Sequence, residues 1–223
     1  MTRNLSLCLL LLAIFQAKNT VSQTSVKNAN TDNIILIPGK KFLFKEEISD
    51  SARDSVFYFT LSADKKPLFN QSLIRYTYYF NIDSAVNGNS HFWEETLATE
   101  NKKWYAIHPP RGLVNEVHQL LPFPEIPLRK KNGYLWKEKL AGMKGWDNFS
   151  ENTIVKSRYH ISSDTTIIVF EKTLLCKKVI AESVSKAGTG KSVFYFHPEF
   201  GFVLIENKIN DTLIKISLVD VWQ

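Results

Sequence analysis

Gly201-Phe-Val-Leu-Ile-Glu-Asn-Lys-Ile-Asn-Asp-Thr-Leu-Ile-Lys-Ile-Ser-Leu-Val-Asp-Val-Trp222 decides the fold. Two strand-like runs, Gly201–Ile209 and Leu213–Trp222, follow one another at the short spacing of an antiparallel meander. Between them Asn210-Asp211 supplies the turn residues whose side chains bond nearby backbone. Upstream, Ser192–Phe196 (SVFYF) adds a third strand of the same meander. Working back toward the N-terminus, Cys176–Val184 precedes the glycine-rich turn Ala187–Lys191. Before that, Ile154–Ser162 and Thr165–Glu171 flank Ser163-Asp164, which reads as a tight hairpin.

The N-terminal half continues the pattern. Ile34–Ile37, Lys41–Ile48, Ser55–Leu61, Leu73–Ile82, His91–Leu97 and Lys103–Ile107 are short strand-like runs bounded by Pro38-Gly39, Val86–Asn89 and Pro109-Pro110. Leu113–Leu121 fits a short helix or a strand. Pro122, Pro124 and Pro127 then force extended chain, Gly133–Leu140 reads as another strand, and Gly142–Asn148 as a loop. The expected fold is mainly β: an antiparallel barrel, half-barrel or sandwich with at most one or two short helices.

The first residues give an address. Arg3 leads into the apolar run Leu5–Phe15, too short for a permanent span of about 20 residues. Small residues at Thr20 and Ser22 suit a peptidase cutting between Ser22 and Gln23. The expected organisation is a signal peptide over 1–22, a polar lead-in over 23–33 and one β-rich domain over 34–223, secreted or periplasmic. Cleavage removes Arg3 and Lys18, so 28 − 2 = 26 cations remain against 22 carboxylates, a net +4 that describes no polycation. With Cys8 gone, Cys176 is left alone and no intramolecular disulfide forms. Its apolar neighbours mark it as a small buried hydrophobe rather than a nucleophile.

Motifs for chemistry are weak. Gly188-Thr-Gly-Lys-Ser192 resembles the tail of a phosphate loop, but Ser185 stands where the first glycine belongs and a strand follows in place of a helix. His91, His108, His118, His160 and His197 lack metal-ligand spacing, so neither metal nor cofactor is expected. Glu46-Glu47 and Glu94-Glu95 are adjacent and should point to opposite faces of their strands, which excludes joint acid–base work. The cations and aromatics of Arg129–Trp146 suit a solvated strand face better than a grip on nucleic acid, and no nucleic acid partner is expected. Asp precedes Ser or Thr at Ser51, Ser55, Ser84, Thr165 and Thr212, a pattern similar to the O-glycosylation signal of Bacteroidetes. These five hydroxyls are candidate glycan sites.

Pro127-Leu128 followed by Gly133-Tyr134-Leu135-Trp136, and the closing Phe194–Val203, resemble segments of uncharacterised secreted bacterial (Bacteroidetes-like) β-rich proteins of the domain-of-unknown-function type. These are similar to periplasmic lipoprotein-carrier half-barrels. The resemblance implies a curved sheet with an apolar concave face, and it carries over no catalytic residue. Together with 15 Phe, 8 Tyr and 5 Trp, it suggests an exported non-enzymatic protein binding an apolar or envelope ligand. Candidate lining residues are Phe57, Phe59, Tyr76, Tyr78, Trp136, Phe194 and Phe196, rings that a plain core would also need. The alternatives are an envelope protein-interaction module without a cavity, and a hydrolase drawing on dispersed residues such as His108, Glu116, His118 and His160.

Overall fold

The computed structural model describes residues 35–50, 54–68, 71–112, 115–141, 153–186 and 188–222. The expected signal peptide and lead-in, Ser51 and the expected loop at Gly142–Asn148 lie outside them.

Twelve strands form one antiparallel sheet: β1 Lys41–Ser49, β2 Asp54–Leu68, β3 Gln71–Tyr79, β4 Phe92–Glu100, β5 Trp104–Ile107, β6 Glu125–Pro127, β7 Leu135–Ala141, β8 Ile154–Val169, β9 Lys172–Ser185, β10 Gly188–His197, β11 Gly201–Ile209 and β12 Thr212–Trp222. Their spatial order is β6-β5-β4-β3-β2-β1-β12-β11-β10-β9-β8-β7. Two meanders therefore run outward from the pair β1–β12, and each strand neighbours its sequence neighbour except across β6 and β7. This is the order of an up-and-down barrel left open at one seam, a half-barrel, one of the three forms expected.

The helices are short: α1, Ile82–Val86, and α2, Asn115–Leu120. The expected strand Leu73–Ile82 stops at Tyr79, because the Asn81 side chain accepts from the Ser84 amide at 2.8 Å and caps α1. Helix α1 covers a small outer cluster of Leu43, Tyr79 and Ala85. Leu121, just after α2, belongs to the main core.

Three local expectations are corrected. Ser163-Asp164 is not a turn: β8 runs through it with an irregularity between Ile161 and Ser163. The chain reverses instead at Phe170-Glu171, both at positive φ (53° and 59°), as a two-residue hairpin of the primed type demands. Gly188–Lys191 is not a turn either but opens β10. There a Cβ on Gly190 would lie 2.7 Å from Ser183 Oγ and 2.8 Å from Leu121 Cδ2, so glycine is required for the segment after α2 to pass against the sheet. The expected strand at Ile34–Ile37 is a bend at Ile35-Leu36, whose amides donate to the Glu100 carboxylate at 2.9 and 2.8 Å.

The core fills the concave side. Phe59 stacks on Phe44 (centroids 5.3 Å) and meets Tyr76 edge-on at 5.5 Å. From the opposite arm, Phe194 and Phe196 surround Phe202. Tyr105 of β5 reaches Phe196 and Phe202 at 5.4 and 5.5 Å, so the arms meet across the interior. Large aromatic contacts of this kind add to the area they bury, by about 0.5–1.5 kcal/mol per pair.

Candidate functional site: the seam between the arms

Strands β6 and β7 share no backbone ladder, and side chains bridge them instead. The Trp136 indole N–H donates to Glu125 Oε1 at 2.6 Å. Its ring stacks on Tyr159 (4.9 Å, 7°) and meets Trp104 of β5 at 78°. The Tyr159 hydroxyl donates to the Phe123 carbonyl at 3.2 Å. Burial pushes the Glu125 carboxyl up to about 7, against the pull of the indole donor.

A pocket of about 520 Å³ opens beside this bridge, between the β5–β6 end of one arm and strands β8–β10 of the other. Its apolar wall includes Ile35, Ile126, Leu128, Cys176 and Phe196. Lys102, Arg129 and Lys177 also line it, with the carboxylates of Glu100 and Asp164. Such a volume falls in the range of roughly 300–1,000 Å³ typical of small-molecule sites. Buried Cys176 has its thiol pushed up to about 11, which keeps it neutral and a poor nucleophile. A second opening, about 130 Å³, lies against Glu125, Glu138, Leu140 and Tyr159.

Of the seven candidate lining residues, the structure places Phe196 at the 520 Å³ pocket and Trp136 in the bridge beside it. Phe59, Tyr76 and Phe194 are fully buried core. Phe57 and Tyr78 border a cleft of only about 10 Å³, room for one water at most. The rest of the pocket was not among the candidates. Its residues come from six separate stretches of chain, and none forms a motif.

Of the dispersed polar residues, His108 lies close enough to His118 for their charges to interact, His160 is half-buried on β8, and the Glu116 side chain lies outside the described residues. His118 Nε2 lies 2.8 Å from Glu46 Oε1, both 2% exposed, tying α2 to β1. His108 Nδ1 faces the Pro109 carbonyl at 2.9 Å, and burial lowers its pKa. Glu94 accepts from the Tyr78 hydroxyl and, at 2.6 Å, from the Arg111 amide. Glu47 and Glu95 instead pair outside with Lys45 and Arg75, so each adjacent carboxylate pair is split across the sheet as expected. Among the described residues no cluster of three His, Cys, Asp or Glu could hold a metal. Of the glycan candidates, Ser55, Thr165 and Thr212 lie half-buried on β2, β8 and β12, and Ser84 half-buried on α1.

No family model and no curated protein matches the chain. Among solved structures, it is similar to a candidate exported protein with YmcC-like fold from Bacteroides fragilis NCTC 9343, at 9% identity and TM-score 0.48, over 85% of this chain and 98% of that one. It is also similar to a candidate lipoprotein from Parabacteroides distasonis (12%, TM-score 0.45, 85% and 97%). A third is the hypothetical lipoprotein YmcC from Escherichia coli (9%, TM-score 0.39, 86% and 90%).

Proposed function

We propose that this is an exported, non-enzymatic protein that takes a small apolar ligand into the seam pocket. The leader-like run Leu5–Phe15 supports export. The observation that carries the binding reading is the pocket itself: about 520 Å³, walled by Ile126, Leu128 and Phe196. The chemistry-bearing side chains support a structural role, since His118, Glu46, Glu94 and Tyr78 are spent on one another or on backbone.

Titration with the neutral fluorophore N-phenyl-1-naphthylamine tests the reading. Saturable, one-to-one enhancement is expected, weakened at least fivefold in Leu128→Gln and unchanged in Leu213→Gln, a surface control on β12. Absence of saturable binding by the native protein, or equal binding by both variants, would leave a surface module without a ligand as the better description.

A further inference from the structure

We infer that the seam pocket selects an amphiphile with one alkyl chain and an anionic head, carboxylate or phosphate. The inference rests on the pocket being a ligand site and adds the chemistry of its mouth. Apolar wall and charged groups occupy the same cavity: Ile126, Leu128 and Phe196 offer no polar partner, while Arg129 and Lys177 bring positive charge.

The two carboxylates there do not cancel them equally. Glu100 is committed to the amides of Ile35 and Leu36, and so works as a structural acceptor at the pocket's edge. Asp164 meets Lys177 at 3.4 Å with both side chains partly exposed (47% and 32%), a pair too loose and too wet to be worth much. Arg129 is exposed and places its Nε on the Lys102 carbonyl at 3.0 Å. That bond holds the guanidinium beside the mouth, and its terminal nitrogens have no protein partner among the described residues. A planar fork held this way suits bidentate capture of a carboxylate or phosphate. A neutral or cationic head would gain nothing from Arg129 and would face Lys177 as well. The tail then displaces water from apolar wall, a gain of about 0.8 kcal/mol for each methylene fully buried.

Competition against bound N-phenyl-1-naphthylamine tests this with probes of one chain length: dodecanoate, dodecyl phosphate, dodecanol and dodecyltrimethylammonium. Both anions should displace the fluorophore at least tenfold more effectively than the alcohol, and the cation least of all. Arg129→Gln should lower the affinity for the anions about tenfold while changing that for dodecanol less than twofold; Lys177→Gln should do the same more weakly. The advantage of the anions should shrink with added salt. Dodecanoate winning would point to free fatty acids, and dodecyl phosphate winning to lipid phosphates; either supports the inference. Equal displacement by anion and alcohol, or preference for the cation, overturns the headgroup assignment while the apolar pocket stands. Failure of the fluorophore itself to bind overturns both. Binding only to phosphatidylglycerol vesicles, with no single-chain competition, overturns the inference in favour of a membrane surface.

Discussion

The two junctions of this sheet are built differently. Between β1 and β12 nine residue pairs, Lys41 with Trp222 through Ser49 with Leu213, join the arms by a backbone ladder interrupted once beside Leu43. Between β6 and β7 no backbone ladder joins the described residues, and side chains link the arms, among them the Trp136–Glu125 hydrogen bond. A ladder spaces strands at about 4.8 Å and leaves no room between them. A side-chain bridge sets a wider and less regular gap, and the pocket opens on that side of the molecule, between the end of β6 and strands β8–β10. The sheet thus places its rigidity and its opening at opposite junctions.

The contrast can be broken most strongly at the laddered side. Phe59→Ala removes a buried ring packed on Phe44 and Tyr76 and should cost about 3–5 kcal/mol in urea unfolding; a loss below about 1 kcal/mol would mean the core there is not closely packed. The next largest effect is a pH dependence at the seam. Burial raises the Glu125 carboxyl from an ordinary 4.5 to about 7. The folded state therefore holds this proton more tightly than the unfolded chain does. Its contribution is complete below about pH 4.5 and is lost as the pH rises through 7, up to about 3 kcal/mol. Subtracting the unfolding curves of Glu125→Gln from those of the native protein isolates it; a difference that is flat from pH 4 to 8 would contradict the burial. Smaller again, Trp136→Phe keeps the stack on Tyr159 but removes the indole donor to Glu125. A cost of about 1–2 kcal/mol is expected, with the Glu125 midpoint moving upward because the bond favoured the ionised form. Smallest of all, Leu213→Gln, at a half-exposed outer position, should change stability by no more than about 0.5 kcal/mol.

Much of the ladder was legible in the sequence because alternation reports which face is buried. Ile214, Ile216 and Leu218 of β12 show this best, alternate and all buried, whereas Phe202, Val203 and Ile205 are buried on either side of a β10–β11 irregularity. Turns were legible only where composition declares them. Asn210-Asp211 did so, whereas Phe170-Glu171 reverses the chain at positive φ with no turn residue to mark it. The register of β8 against β9 imposes that conformation. Helix α1 carried a readable signal, Asn81 before Ile82-Asp83, obscured by the aromatic strand Tyr76–Tyr79 preceding it. The seam was not legible. Counting aromatics pointed to Phe59 and Tyr76, which pack on each other, and to Phe194, which packs on Phe202, while Leu128, Arg129 and Lys177 carry no local pattern that distinguishes a pocket wall from ordinary surface.

Amide hydrogen exchange tests the unequal junctions most directly. The ladder amides of β1 and β12 should exchange only with global unfolding. Along Leu135–Ala141, the alternate amides that face away from β8 should exchange within the first minutes, at the rate of open backbone. Protection of those β7 amides equal to that of Phe42–Ile48 would mean β6 and β7 are laddered and the barrel is closed, which contradicts the open seam.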